Sequence, residues 1–350
     1  GAQLSEAEFE ELIGHEAQLG LEARARAGEL AVRRFGRAVH FRAIVEFTSH
    51  CRQDCRYCGL RRENSRAHRY RMSEEAVLAC CQKAYSLGIR TFVLQGGEDP
   101  FFTDARIVRM VQALRSAFPD AAVTLSLGER SEEDYRKFFE AGASRYLLRH
   151  ETADPAHYRQ LHGAGQSYWN RMACLHQLKA IGFQTGCGMI VGTPWQTAAT
   201  LARDLAFMQA FQPHMIGIGP FLPATGTPFA GMPPGDADLT LYLLALCRLM
   251  LPDVLLPATT ALRTLSPDGC RQGLLAGCNV LMPNFTQAEF KADYAIYDGK
   301  PSAPGADSLA SLQAETVRLG FHPSQGRGDW SPSPDGPSTT SSSTRGDHDA

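Results

Sequence analysis

The sequence predicts a (β/α)8 barrel, and three observations carry that expectation. Short runs rich in β-branched and aromatic residues recur from residue 40 onward, eight in number. Each is followed by a longer segment of helical periodicity, and the whole alternation spans the length such a barrel needs, about 250 residues. The runs are 40–47 (HFRAIVEF), 90–95, 121–127, 145–149, 183–191, 215–221, 254–260 and 279–284. An open doubly wound sheet is the competing architecture, but no GxGxxG follows the first strand.

The flanking elements follow in order. Residues 4–34 read as helix, with Leu4, Phe9, Leu12, Leu19, Leu21, Leu30 and Val32 interspersed among Glu, Ala and Arg. Between the strands, Ser73, Thr103 and Ser131 stand where helices start, the last with Asp134 three positions on. Gly88, Gly142, Gly182 and Gly277 stand where helices end. The expected organisation is a helical extension over 1–39, the barrel over 40–285 and a segment closing it over 286–321. Residues 322–350 hold one large apolar residue, Trp330, amid Ser, Pro, Gly, Asp and Thr, so disorder, as in a linker, is expected there.

Composition excludes several classes. The 350 residues carry 35 Lys+Arg against 37 Asp+Glu, a net charge of -2, so no basic excess is available for nucleic acid or an anionic membrane. No apolar stretch is long enough to span a bilayer, and residues 1–20 lack the basic end and apolar core of a signal peptide. Ten cysteines are too sparse for a disulfide scaffold. Three of them crowd together, which in a reducing compartment points to metal or catalysis.

Those three form Cys51-x-x-x-Cys55-x-x-Cys58, in a loop directly after the first strand. Three thiolates can converge on one soft metal centre and leave an iron of a 4Fe-4S cluster open. The alternatives are buried structural cysteines, or a zinc whose fourth ligand is His50 or His68. After strand 2 comes Gln95-Gly96-Gly97-Glu98, whose glycine amides can receive a carboxylate while the acid faces an ammonium; alone it is often only a turn. Strand 4 ends in Arg149-His150-Glu151, where Arg149 and Glu151 share a face and bind either a zwitterion or each other. Arg171, on the next helix, adds a second cation. Thr124, Thr259, Thr260, Met282 and Asn284 bring small polar groups to the same strands. Arginines at 52, 56, 61, 62, 66, 69 and 71 make a basic run that suits an acidic partner or a solvated face.

CxxxCxxC with an aromatic before its last cysteine, at the top of the first barrel strand, resembles the radical S-adenosylmethionine (SAM) enzymes. The resemblance narrows through RAIVEFTSHCRQDCRYCGLRREN, RYRM, VLQGGEDP, VTLSLGE, RYLLRHETADP, GIGPFLP, LPATTA and NVLMPN, spread over residues 42–284. Together they resemble the FeFe-hydrogenase maturase family HydE, and YCGLRR with RHET separates this group from biotin synthase. The resemblance implies a 4Fe-4S cluster on Cys51, Cys55 and Cys58, one iron of which binds SAM and one electron of which cleaves it to a 5'-deoxyadenosyl radical. It implies that Tyr57, Gln95, Gly96, Gly97, Glu98, Glu151, Arg171, Ile190 and Leu222 surround SAM. It places Thr124, Arg145, Arg149, Thr259, Thr260, Met282, Tyr294 and Tyr297 near the substrate, a cysteine-bound iron carbonyl cyanide synthon supplied by the maturase HydG, with HydF as the other partner. The compartment would be the cytoplasm of a bacterium or the chloroplast stroma of an alga; green algae carry the family fused to HydF. Two departures from the family stand out: no second cysteine trio follows residue 302, and Gly96 stands where other members have Ser. Methylornithine synthase, a radical SAM mutase, and an iron-sulfur scaffold that cleaves no SAM are the competing readings.

Overall fold

The structure, a computed structural model, describes residues 3–332 except 302 and 304. In chain order its strands are β1 (Ala38–Phe41), β2 (Ala43–Thr48), β3 (Thr91–Gly96), β4 (Ala122–Ser126), β5 (Ala143–Leu147), β6 (Gln184–Cys187), β7 (Ile190–Val191), β8 (Met215–Ile216), β9 (Gly219–Pro220), β10 (Pro257–Ala258), β11 (Val280–Leu281) and β12 (His322–Pro323). The eight predicted runs are all present, the first, fifth and sixth each broken in two. At the fifth and sixth the break sits where backbones come close: a Cβ on Gly188 would lie 2.0 Å from the Gly217 carbonyl oxygen.

All strand pairs are parallel. β2-β3-β4-β5-β6-β8 form one sheet and β10-β11-β1-β12 another. Single bridges, Met215 to Leu255 and Ile44 to Asn284, join the two into a closed ring. Closure leaves β12 as an appendage on β1, paired through Ala38 and Val39.

Helices cover the outside. Predicted residues 4–34 form two, Glu6–Gly14 and Glu16–Phe35, turning at His15. The second buries the small face Gly20, Ala23, Ala27, Ala31 and packs on helix Ala237–Met250, which is apolar nearly all round. Ser73 and Ser131 cap their helices through the side chain as expected, and Thr103 sits at the cap without that bond. Gly182 ends helix Tyr168–Ile181 at φ 109°, a conformation that favours glycine. Among the described residues no helix is long and apolar enough to cross a membrane.

The expectation of disorder from residue 322 is corrected for residues 322–332. β12 pairs with the barrel, and the following residues fold under its N-terminal end. There Asp329 meets Arg145 at 2.6 Å, the Arg327 carbonyl accepts from Arg145 at 2.9 Å, and Trp330 packs beneath Met215, Leu255 and Val280. Composition correctly gave a segment without a core of its own, but two buried cations and one open barrel end supply what it lacks. Residues 333–350, to which the same expectation applied, lie outside the described residues.

Candidate active site

The C-terminal ends of the strands enclose a cavity of about 280 Å³. Its floor is Leu147, below which Met215, Leu255, Val280 and Met282 form an apolar layer. Its roof is the loop after β2. Arg69 ties that loop together by donating to the carbonyls of Ser49, Leu60 and Arg61 at 2.5, 2.9 and 2.7 Å. Asp99 anchors its base, accepting from Thr48 at 2.8 Å and from both arms of Arg71 at 2.7 and 2.9 Å. Gly97 is needed for the fit, because a Cβ there would lie 2.3 Å from the His50 carbonyl and 2.6 Å from Cys51 Cβ. Glu98 is fully engaged: it accepts from Arg52, Gln53 and the Glu129 amide at 3.1, 2.6 and 2.9 Å, holding loop and strand ends together.

Cys51, Cys55 and Cys58 all face the cavity. Burial raises all three thiols, Cys55 to about 12, and outweighs what favours their thiolates, such as Gln166 and Arg171 at Cys55, so the protein alone does not hold them ionised. A bound cationic centre would supply that stabilisation. Among the described residues no three His, Cys, Asp or Glu side chains are placed to share one metal ion. His68 turns out to Asp293 at 3.3 Å, and neither it nor His50 lines the cavity. The donors therefore suit a polynuclear iron-sulfur centre, in which each thiolate takes its own iron, better than a single zinc. The other seven cysteines are buried and free, as expected of small hydrophobes.

The same cavity has a charged wall. Arg149 Nη2 stands 3.0 Å from Glu151 Oε2 and donates to the Met189 carbonyl at 2.6 Å. The ion contact is not an aligned hydrogen bond: Glu151 Oε2 and Arg149 Nε are both buried without a hydrogen-bond partner. Glu151 also holds φ 66°, an unusual backbone for a non-glycine residue that aims its carboxylate at the cavity. An orphaned carboxylate oxygen of this kind fits a ligand ammonium. Arg171 pairs with Glu129 at 2.6 Å and donates to the Arg149 carbonyl at 2.6 Å. Tyr57 completes the wall. His162 Nδ1 donates to the Tyr158 carbonyl at 2.9 Å, so its Nε2 accepts from the Tyr57 hydroxyl at 3.1 Å. Burial, then the Arg171 charge, lowers His162 to about 3, which keeps it neutral.

Of the residues expected around SAM, Tyr57, Gln95, Gly96, Gly97, Glu98, Glu151, Arg171, Ile190 and Leu222 all line this cavity. Of those expected near the substrate, Arg149, Thr259, Tyr294 and Tyr297 line it too. Four do not. Thr260 and Met282 face a separate pocket of about 40 Å³ beside Glu46, Lys291 and Lys300. Thr124 is fully buried, its hydroxyl unpartnered. Arg145 lies one turn of strand below Arg149, beneath the apolar layer, and spends its guanidinium on Thr91, Gln184, the Arg327 carbonyl and Asp329. Its role is structural in this geometry, which corrects the expectation. Sequence reasoning missed Glu129, His162 and Gln166. Glu129 had a signal, an acid just past the end of β4; the loop that carries Gln166 showed only paired glycines, Gly163 and Gly165.

Residues 45–208 match the Radical SAM superfamily. The FeFe hydrogenase maturase subunit HydE of Thermotoga maritima is 46% identical over 274 residues, 78% of this chain and 78% of that protein. The 3-methylornithine synthase of Methanosarcina acetivorans is 28% identical over 84% of each chain. Among solved structures, methylornithine synthase superposes with a TM-score of 0.80 at 25% identity, covering 93% of this chain and 95% of that one.

Proposed function

The chain belongs to the HydE family of radical SAM enzymes in FeFe-hydrogenase maturation, and from that premise we propose how its cavity works. The carrying observation is that three thiols, a glycine-lined strand end and a carboxylate oxygen without a hydrogen-bond partner converge on one cavity at the catalytic end of the barrel. Cys51, Cys55 and Cys58 hold a 4Fe-4S cluster. When bound, the cluster and SAM supply reductive cleavage of a sulfonium to a carbon-centred radical, which no side chain here can perform.

The protein's own work is positioning. Glu151 offers its carboxylate, which Arg149 meets without an aligned hydrogen bond, to the amino group of SAM, and the Gly96–Gly97 backbone lets the ligand approach closely. Arg171, held on Glu129, acts as a fixed positive charge rather than a free clamp. The Tyr57–His162 bond fixes the aromatic side of the pocket. Ile190, Phe221 and Leu222 keep water out.

The substrate is a cysteine-bound iron carbonyl cyanide synthon, delivered by HydG, with its product destined for HydF. Arg149 faces its negative charge. Tyr294 and Tyr297 are raised by burial, Tyr297 to about 12, so both remain neutral hydroxyl donors suited to cyanide or carboxylate acceptors. The test is 5'-deoxyadenosine release by reconstituted, reduced protein, wild type against Cys55→Ala, with the synthon or with lysine added. Release that rises with the synthon and vanishes in the variant supports the reading. Stimulation by lysine alone moves the substrate to the mutase class, and no release from cluster-loaded protein overturns the proposal.

A further inference from the structure

Behind the chain that carries Arg149 and Glu151 lie a histidine and a carboxylate that the function proposed above does not use. Along the extension of β5, Arg149 and Glu151 line the cavity, while His150 between them does not and is fully buried. A backbone amide can only donate, so His150 Nδ1 accepts from the Gly188 amide at 3.3 Å and the ring proton sits on Nε2. Nε2 then donates to Asp204 Oδ1 at 3.2 Å. Asp204 stands on helix Ala198–Phe211, whose Phe207 ring meets the imidazole edge to face at 4.8 Å. The same Asp204 oxygen accepts from the Ala153 amide.

We propose that His150 and Asp204 are positioning residues: as one hydrogen-bonded unit they hold the backbone of residues 149–153 in the shape that aims the Glu151 carboxylate at the ammonium of SAM. The proposal rests on the role given to Glu151 above. Its φ of 66° is a left-handed backbone that a non-glycine residue keeps only where its surroundings fix it. Those surroundings are specific. Gly188 uses both its backbone groups here, the amide on His150 and the carbonyl accepting from the Glu151 amide at 3.0 Å. The Glu151 carbonyl accepts from the Ile190 amide at 3.4 Å, and two residues on Asp204 takes the amide of Ala153. Packing alone does not account for the pair. Asp204 is fully buried and its Oδ2 makes no hydrogen bond, a cost that apolar side chains of similar size would avoid. Apolar side chains would not supply the bonds to Gly188 and Ala153 that grip the chain on both sides of Glu151.

The experiment uses cluster-loaded protein and equilibrium dialysis under anaerobic conditions. It compares SAM with 5'-methylthioadenosine, which keeps the nucleoside and sulfur but lacks the amino acid part. His150→Phe keeps a ring against Phe207 and removes both hydrogen bonds. The expected result is a Kd for SAM about tenfold higher, with the Kd for methylthioadenosine unchanged. In a Glu151→Gln background, His150→Phe should add no further loss, because the two act through one contact. Where His150→Phe does not fold, His150→Phe/Asp204→Val leaves no buried charge without its partner and should show the same split between the two ligands. Unchanged SAM affinity overturns the proposal, and so does an equal loss for both ligands, which would make the pair a general support of the pocket. Wild-type SAM affinity in Glu151→Gln alone would instead overturn the role given to Glu151.

Discussion

The two ends of this barrel are built from similar residues and put to opposite uses. Arg149 and Arg145 stand four residues apart along one strand and its extension. At the mouth, Arg149 Nε and Glu151 Oε2 make no hydrogen bond, although the two side chains meet as an ion pair, and three free thiols face the same cavity. At the floor, Arg145 is consumed by four partners and Arg42 donates to the Gly328 carbonyl at 3.2 Å, both beneath a segment that has no core of its own. Buried atoms without a hydrogen-bond partner occur at both ends, Arg42 Nε, His40 Nδ1 and Arg327 Nε among those at the floor, so what distinguishes the mouth is the cavity its groups border. Residue type does not separate the two; height along the strand does.

Breaking the mouth should abolish chemistry and spare the fold. Cys55→Ala, at a half-buried position, should lower 5'-deoxyadenosine release about a thousandfold or more, with loss of the cluster's visible absorption. Its melting temperature without cluster should stay within a few degrees of wild type. Breaking the floor should do the reverse. Asp329→Ala leaves Arg145 and Arg42 facing each other without their carboxylate, and urea unfolding should show a loss of about 2 kcal/mol. That figure is the buried-pair value reduced because Asp329 is 40% exposed. Its SAM affinity should not change.

The legible part of the molecule follows the same division. The eight strands were legible because their residues repeat a local pattern, and the thiol triplet because its spacing is short. The plug was not: Asp329 and Trp330 read as tail composition, and only the closed barrel creates the two buried arginines they answer. Arg145 was misplaced for the same reason, since its neighbours Thr91 and Asp329 lie 54 and 184 residues away. Glu129 and Gln166 support the site from loops whose sequences carry little beyond an acid and two glycines, and their partners Arg171 and Cys55 become visible only in three dimensions.

Two smaller effects sharpen the contrast. Glu151→Gln should raise the SAM concentration for half-maximal release by about tenfold, the worth of one charge-assisted hydrogen bond. Glu151→Gly should lose as much affinity yet keep or raise the melting temperature, because glycine tolerates φ 66° without strain. At the floor, His40 is lowered from 6.5 to about 4 by burial, then by Arg42 and Arg145, with Asp329 opposing. The folded state thus binds fewer protons than the unfolded chain between those values. Its contribution is complete above pH 6.5 and is lost as the pH falls toward 4. Denaturation at pH 7.5 and 5.5 should differ by roughly 1 kcal/mol less in His40→Gln than in wild type.

The most direct measurement compares Arg149→Met with Arg145→Met, reading for each the synthon concentration that half-saturates 5'-deoxyadenosine release and the melting temperature. The account predicts that Arg149→Met raises that concentration about tenfold with the fold undisturbed. Arg145→Met should leave it unchanged and act on thermal stability alone. A synthon requirement that rises in Arg145→Met and not in Arg149→Met would contradict the division of the barrel into a reactive mouth and a structural floor.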